Sequence, residues 1–356
     1  MPVNKSANKW IIYGSYGYTG QLIAEKAAGL HEEVILSGRN REKLIQQSEE
    51  LGLPYRAADL SNTEQMNSIL TDAHLVIHCA GPFVYTWKPM LDACIRNSCH
   101  YLDITGEIGV FERIKARDKE ITDAGIMAMP GTGFDVVPTD CLALYLNKEL
   151  PDATNLELAF MGLGGGVSHG TAQTMAENLG FGGAIRQDGK IKSVPAAWKT
   201  REIDFGEKRR MAVTIPWGDV STAHFTTGIE NIVVYTAMKK SAIRWLKRSN
   251  WIAPVLKLSV VRHFVKKLIS KKVTGPDQTE REEGKSYIWG EVTNSSGETV
   301  TARQVTLEGY RLTALSALHI AQKVSEENFK TGYQTPASAY GEDLILEIVG
   351  TDRELV

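Results

Sequence analysis

Three glycines at an even spacing are the feature that most constrains the fold of this chain. Gly14, Gly17 and Gly20 stand in the stretch YGSYGYTG. The apolar run Trp10–Tyr13 precedes them, and a helical pattern follows over Thr19–Ala28. Because a helix N-terminus is positively polarised, a glycine turn that leads from a strand into a helix lets backbone N–H groups approach an anion. The alternative is a glycine-rich turn that binds no ligand.

Apolar runs alternate with helical patterns throughout the first part of the chain. This alternation predicts parallel βαβ units with right-handed crossovers, and hence an α/β fold with a doubly wound parallel sheet of the Rossmann type. In that context Gly14 allows the tight turn, Gly17 allows a pyrophosphate to approach, and Gly20 lets the helix pack on the sheet. The predicted strands are Trp10–Tyr13, Val34–Leu36, Tyr55–Ala58, Leu75–Cys79, His100–Ile104 and Ile126–Met129, and the predicted helices are Thr19–Ala28, Arg41–Leu51 with Gly52 as its C-cap, a helix from a Ser61/Glu64 capping box to Thr71, Lys88–Asn97 and Val110–Asp123.

The tip of the second predicted strand distinguishes NADP from NAD. The strand ends in ILSGRNREK, with Ser37 and Gly38 at its tip and Arg39 after them. An NAD site places an acid there, whereas an arginine guanidinium holds the 2′-phosphate of NADP. We therefore predict NADP(H), the alternative being a solvated basic helix start. The predicted cofactor-binding residues are Gly14, Ser15, Tyr16, Gly17, Tyr18, Thr19, Gly20, Ser37, Arg39, Asp59, Ala80, Gly81 and Pro82.

The strict alternation stops after the stretch Met129–Asp140. The later segments are typical of a mixed sheet with helices on one face. We therefore predict a Rossmann domain over residues 1–140 and a second α+β mixed-sheet domain over 141–356, for substrate binding or dimerisation, with the option that its C-terminal part packs back on the first domain. Its predicted strands are Leu156–Met161, Arg210–Pro216, Ile232–Met238, Ser286–Val292 and Val300–Leu307, and its predicted helices are one that ends near Leu150, Ser168–Leu179 and Tyr310–Val324.

The segment 239–272 is strongly basic. It holds eleven lysines and arginines, and no acid occurs between Glu230 and Asp277. Apolar residues recur in it at helical spacing, with a break at Pro254. Such a segment is typical of a surface that binds an anionic membrane or an acidic partner such as an acyl carrier protein. The alternative is a helical pair that packs on its own domain and exposes a solvated basic face.

The composition excludes several classes. The formal net charge of -2 gives no reason to expect nucleic acid as a partner. The four cysteines lack CxxC spacing, so we interpret them as reduced thiols and predict neither a disulfide frame nor a metal site. The N-terminal stretch does not read as a signal peptide, and no apolar run is long enough to span a membrane. We expect a cytoplasmic protein, with peripheral membrane association as an option.

Eight motifs are distributed over nearly the whole chain: YGSYGYTG (13–20), LSGRNREKL (36–44), CAGPF (79–83), HYLDITGE (100–107), PGTGFDVVPTD (130–140), SHGTAQT (168–174), IPWGDVSTAHFTTGIENIVVY (215–235) and QTPASAYGEDLI (334–345). Together they resemble the saccharopine dehydrogenase-like oxidoreductases, in particular the branch of trans-acting enoyl reductases. The resemblance implies an NADP-binding Rossmann domain, a mixed α/β second domain, and reduction of carrier-bound unsaturated acyl chains in lipid synthesis. It supports the three glycines and Arg39 as cofactor residues, with Ala80–Gly81 beside the ribose.

The proton donor is less well defined by the sequence than the cofactor site. Hydride reduction of a C=C or C=N bond needs placement over the nicotinamide and a proton source. The catalytic candidates are Tyr101 and Asp103, which end the fifth predicted strand, and His169, which begins a helix of the second domain. The alternatives are an N-cap role for Asp103 and a capping role for Ser168–Thr171. Glu107 is either an acid of the site or a first-turn helix residue.

We predict an NADPH-dependent reductase of an enoyl or acyl lipid-type substrate, which is a small molecule or carrier-bound. A homodimer is an option. One alternative is a saccharopine-type amino-acid or imine dehydrogenase, which needs arginines in the second domain to hold carboxylates. The other is a non-catalytic NADP-binding sensor or scaffold, which binds the cofactor without turnover.

Overall fold

The structure is a computed structural model that describes residues 8–30, 33–163, 168–269 and 275–356. The chain divides into two compact units. The first unit comprises Met1–Phe134 and Tyr310–Thr335, and the second comprises Asp135–Gly309 and Pro336–Val356. The division therefore falls between residues 134 and 135, and a later stretch of the chain belongs with the first unit.

The first unit contains a seven-stranded sheet in which every pairing is parallel. Its strand order is β15-β6-β5-β4-β1-β2-β3, so the order reverses direction between β1 and β4. This arrangement confirms the predicted Rossmann-type sheet. With elements numbered along the whole chain, the strands are β1 (Lys9–Tyr13), β2 (Glu33–Gly38), β3 (Tyr55–Ala57), β4 (Leu75–His78), β5 (His100–Asp103), β6 (Met127–Met129) and β15 (Gly332–Tyr333), and the helices are α1 (Tyr18–Ala27), α2 (Arg41–Leu51), α3 (Thr63–Leu70), α4 (Phe83–Asn97), α5 (Ile108–Lys115), α6 (Asp118–Asp123) and α14 (Gly309–Ser325).

Three predicted helix boundaries in this unit were wrong. Helix α4 begins five residues before Lys88 and keeps Pro89 inside it, because a side chain distant in sequence supplies acceptors for its first N–H groups. The predicted helix Val110–Asp123 is two helices, which are separated at 116–117. The N-cap of α3 is Asn62 rather than Ser61, since the Asn62 side chain accepts from Gln65 N. The predicted C-cap of α2 is confirmed, because Gly52 is left-handed with φ +67.

The second unit contains a mixed sheet of order β10-β11-β12-β7-β13-β14-β16, to which a β8–β9 hairpin attaches through β12. Among the described strands of this unit, only the β12–β7 pairing is parallel. This confirms the predicted mixed sheet. The strands are β7 (Ala153–Leu163), β8 (Gly183–Gln187), β9 (Lys190–Val194), β10 (Thr200–Asp204), β11 (Arg209–Thr214), β12 (Asn231–Ala237), β13 (Lys285–Asn294), β14 (Thr299–Leu307) and β16 (Asp352–Leu355).

Helix α7 packs on one face of this sheet. A Cβ on Gly290 of β13 would lie 2.6 Å from Leu146 Cδ1, so the glycine permits the close approach of the helix. The helices of the unit are α7 (Val137–Glu149), α8 (His169–Glu177), α9 (Asp219–Thr227), α10 (Lys240–Ser249), α11 (Ala253–Leu256), α12 (Ser259–Ile269), α13 (Gln278–Glu283) and α15 (Pro336–Tyr340), with 3₁₀ helices at Asn250–Ile252 and Glu342–Glu347. Among the described helices, none is long and apolar enough to cross a membrane.

Candidate functional site

The glycine turn between β1 and α1 is compact because glycine stands at its contact points. Gly14 is left-handed with φ +83, and its N–H donates to Ser37 O at 2.8 Å, which joins the turn to the end of β2. A Cβ on Gly14 would lie 2.9 Å from Ala80 Cβ, so the loop after β4 touches the turn. A Cβ on Gly20 would lie 2.3 Å from Gly14 O. The turn and the start of α1 therefore meet at a distance that only glycine allows.

The N-terminus of α1 is open to an anion. No side chain caps it, and its first turn holds no acid. The next helices differ, because Asn40 caps α2, Asn62 caps α3, and the Glu107 carboxylate binds the first N–H groups of α4. Since the positive end of α1 lies at a glycine turn and has no side-chain cap, it fits the pyrophosphate of a dinucleotide.

Glu107 completes the neighbouring helix rather than the cofactor site. Its Oε1 accepts from Phe83 N at 2.8 Å and its Oε2 from Val84 N at 3.0 Å. Burial raises the pKa of this carboxyl, and the two backbone N–H groups act against that rise. Glu107 is itself the N-cap residue of α5. An acid at this position was a candidate in the sequence, but its contact with the start of α4 was not predicted.

The tip of β2 presents Arg39 to solvent. Beside it, the Tyr16 ring lies against Gly38, where a Cβ would be 2.6 Å from the ring, and Tyr16 Oη accepts from Asn40 N at 3.1 Å. Hydrogen bonds from Ser61 lower the pKa of Asp59, and the positive charge of Arg39 adds to the effect. Arg39 thus lies near the Asp59 carboxylate with its guanidinium exposed, which fits a 2′-phosphate ligand.

Two serines among the predicted cofactor residues use their hydroxyl groups for hydrogen bonds within the protein. Ser15 is fully buried and its Oγ donates to Gln47 Oε1 at 2.7 Å. Ser37 is also buried, and its Oγ donates to Arg56 O at 2.7 Å. Their side chains fix the turn and the β2–β3 edge. The other predicted residues lie at or near the surface of the same turn and loop: Tyr18 and Thr19 in α1, and Ala80, Gly81 and Pro82 after β4.

Tyr101 and Asp103 form a buried pair at the end of β5. Tyr101 Oη donates to Asp103 Oδ2 at 2.5 Å, and Asp103 Oδ1 accepts from Thr105 N and Gly131 N, both at 2.9 Å. Burial raises the pKa of Asp103 to about 6 and that of Tyr101 well above its usual value. The predicted N-cap role of Asp103 was wrong, because Asp103 joins the loops after β5 and β6. The pair is fully buried and fixes both loops, and the pKa of Asp103 near 6 lies in the range of a general acid or base.

His169 lies at the first position of α8 and is exposed. Ser168 caps this helix, since its Oγ accepts from Thr171 N at 3.2 Å, which confirms the predicted capping role. Gln173, one turn along, lies 3.3 Å from His169 Nε2 and donates to Lys266 O. The structure therefore places His169 at a helix start on the surface of the second unit.

Two buried acids in the second unit were not among the three predicted catalytic residues. Asp140 of α7 accepts from Thr226 Oγ1 at 2.6 Å and from Ala337 N at 2.8 Å. Asp219 begins α9, and neither of its buried carboxyl oxygens has a hydrogen-bond partner among the described residues. Burial raises the pKa of Asp219 well above its usual value, and the charge of Asp140 adds to the rise. Asp219 is therefore harder to ionise than an exposed carboxyl.

The parallel sheet, the glycine turn and the open helix define a dinucleotide-binding α/β protein. Residues 10–129 match the family model "Saccharopine dehydrogenase NADP binding domain". The first unit therefore contains an NADP-binding domain of this type, and the predicted cofactor NADP(H) is confirmed. The resemblance to the saccharopine dehydrogenase-like oxidoreductases is confirmed as well.

Named relatives give the extent of the similarity. The chain is 26% identical to the saccharopine dehydrogenase-like oxidoreductase of Mus musculus, in a match that covers 57% of this chain and 53% of that protein. It thus spans about half the length of that relative. It is 27% identical to a Mycobacterium tuberculosis protein provisionally named a trans-acting enoyl reductase, over 94% of both chains. Apo saccharopine dehydrogenase (L-Glu forming) from Saccharomyces cerevisiae has the same fold, with a TM-score of 0.69 at 13% identity over 98% of this chain and 100% of that chain.

Proposed function

We propose that this protein is an NADPH-dependent reductase of an enoyl or acyl lipid-type substrate. The observation that supports it most is the uncapped N-terminus of α1 at a glycine turn, beside an exposed arginine at the tip of β2. NADPH supplies a hydride when it is bound. In this proposal the N–H groups at the start of α1 bind the pyrophosphate, and the Arg39 guanidinium binds the 2′-phosphate.

The capping pattern supports this assignment of roles. Because Glu107 occupies the start of α4, the adjacent helix end does not compete for the pyrophosphate. The buried Tyr101–Asp103 pair holds the loops after β5 and β6 in place, with the phenol donating to the carboxyl and the carboxyl accepting from Gly131 N. A rigid pair of loops at the carboxyl ends of the strands is the means by which this chain would orient a substrate.

The arginines of the second unit favour an apolar acyl substrate over an amino acid with several carboxylates. Outside the basic segment, each of its arginines already donates to an acceptor of the protein. Arg201, for example, binds Glu157 and Glu291 at 2.5–2.8 Å. The others are Arg186, Arg209, Arg210, Arg281, Arg303 and Arg353. A saccharopine-type dehydrogenase would need such side chains for its substrate. The nearly full-length match to the mycobacterial relative also supports the enoyl class.

The experiment is NADPH oxidation by the purified protein with a long-chain enoyl thioester, after binding of NADPH has been verified by its fluorescence. Saccharopine, glutamate and lysine serve as alternative substrates in the oxidative direction with NADP⁺. Turnover with the thioester supports the proposal, and turnover with the amino acids alone replaces it by the dehydrogenase alternative. Tight NADPH binding without any turnover would instead support a sensor or scaffold.

A further inference from the structure

The basic segment exposes apolar side chains that an amphipathic helix normally buries. Among residues 240–267, only Ile243 is buried. Trp251 is 89% exposed, Val260 is 78% exposed, and Trp245 and Phe264 are each 62% exposed. Seven large apolar side chains of the segment are exposed and form what we call the apolar set: Trp245, Trp251, Ile252, Val255, Leu258, Val260 and Phe264. Exposed apolar side chains gathered in one segment of the chain are typical of an interaction surface.

Helix α12 exposes apolar side chains although two of its cations bind the protein. Arg262 and Lys266, one turn apart, both bind Glu177 of α8. Val260 and Phe264, also one turn apart, are exposed. Two charged side chains thus attach α12 to the protein, while Val260 and Phe264 are exposed to solvent. This arrangement is unfavourable in water unless an apolar phase covers the outward side.

The segment is held in this position by specific contacts. Ile243 packs with Ala197 and Val213, which fixes α10 on the unit. Asn250 binds Ala196 through both its side-chain oxygen and its amide, each at 2.9 Å. At Gly180, with φ +83, a Cβ would lie 2.9 Å from atoms of α11, so the glycine lets α11 pack closely. The apolar set is therefore displayed by an anchored scaffold.

The charge of the segment indicates which kind of partner this surface binds. Nine lysines and arginines lie between residues 239 and 267, and no acid occurs between Glu230 and Asp277. Two copies of this surface would repel each other in a symmetric dimer, because each would bring the same positive charge. An acidic carrier protein matches the charge, but it does not match the exposed tryptophans and aliphatic side chains. An anionic bilayer matches both, since it offers negative headgroups above an apolar interior.

We propose that residues 239–267 form a docking surface for an anionic lipid membrane, onto which the protein binds peripherally. The apolar set enters the boundary between headgroups and acyl chains, where tryptophan rings are favoured. Lysines and arginines around it bind the anionic headgroups. This surface belongs to the second unit, and its function is independent of whether the cofactor site reduces an enoyl group.

The test is co-sedimentation of the full chain with vesicles of phosphatidylcholine alone and of phosphatidylcholine mixed with phosphatidylserine. We expect binding to the mixed vesicles, weakened by salt. The variant Lys247→Gln/Arg248→Gln should bind about 30-fold more weakly, from the loss of two surface cations. The matched control Lys190→Gln/Lys285→Gln, at exposed cations of the same unit, should bind like the parent.

The apolar contribution is tested by Trp251→Ala/Phe264→Ser against the control Val349→Ala, which removes an exposed apolar side chain elsewhere in the unit. The first variant should lose most vesicle binding, while its melting temperature and NADPH affinity stay at the parent values. If the parent protein does not bind the mixed vesicles, the proposal is overturned. This holds also if light scattering then shows that the surface binds acyl carrier protein or a second copy of the chain. Equal binding of all variants would overturn it as well.

Discussion

The substitution Gly20→Ala tests how tightly the glycine turn is packed. An added Cβ would lie 2.3 Å from Gly14 O and 3.0 Å from Gly14 C and Ser15 Cα, all of them backbone atoms that cannot rotate away. Alanine gains about 1 kcal/mol over glycine in a helix, whereas overpacking of this kind costs about 1–3 kcal/mol. We therefore expect a net destabilisation of roughly 1 kcal/mol and a displaced turn, which weakens NADPH binding.

Gly109→Ala is the matched control for this substitution. Gly109 lies in the first turn of α5 in the same unit, and no atom lies within 4 Å of the position of its Cβ. The same chemical change should therefore stabilise the protein by about 0.4–1 kcal/mol and leave NADPH affinity unchanged. Urea unfolding and NADPH fluorescence titration measure both variants. A Gly20→Ala protein that is as stable as Gly109→Ala and binds NADPH like the parent would refute the reasoning.

Three further predictions concern single side chains. Arg39→Gln should weaken NADPH binding by about 10–100-fold, as for a lost charge-assisted bond, and leave NADH binding unchanged in fluorescence titrations; an equal loss in Arg41→Gln would show a general basic field instead. Glu107→Gln removes an acceptor from the start of α4 and should cost about 1–2 kcal/mol in urea unfolding, whereas the exposed Glu42→Gln should cost much less. Asp219→Asn should gain stability over the parent as the pH rises above about 4, by up to about 1.4 kcal/mol per pH unit, because burial raises the pKa of the folded carboxyl and the unfolded one ionises first; parallel urea-unfolding stability curves of the two proteins above pH 4 would contradict this.

The first unit was largely predictable because its information is local. Short apolar runs between helical patterns reveal parallel strands, and glycines after the first strand mark the turn. The helix Arg41–Leu51 was predicted with the correct bounds, since Gly52 terminates it clearly. The start of α4 was missed because its cap is supplied by Glu107, which lies more than 20 residues later in the chain. Only the folded sheet brings these two elements together.

The second unit was less predictable because several of its elements lack a regular apolar pattern. Strand β9 has the sequence KIKSV and no buried residue. It is therefore stabilised by its pairing with β8 and not by burial of its side chains. The basic segment was recognised from its charge, but the direction in which its apolar residues face depends on packing against α8 and residues 196–213. Likewise, the unpartnered carboxyl of Asp219 is a property of the folded unit, because nothing in its local sequence indicates burial.

The central claim is hydride transfer from NADPH to an unsaturated acyl chain, and its most direct test follows deuterium. The protein is incubated with NADPH deuterated at the transferable position of the nicotinamide and a long-chain enoyl thioester, and the acyl product is examined by mass spectrometry. We expect one deuterium in the saturated product with NADPH, little product with NADH, and little with Arg39→Gln. An unlabelled or absent product, from protein shown to bind NADPH tightly, would contradict it.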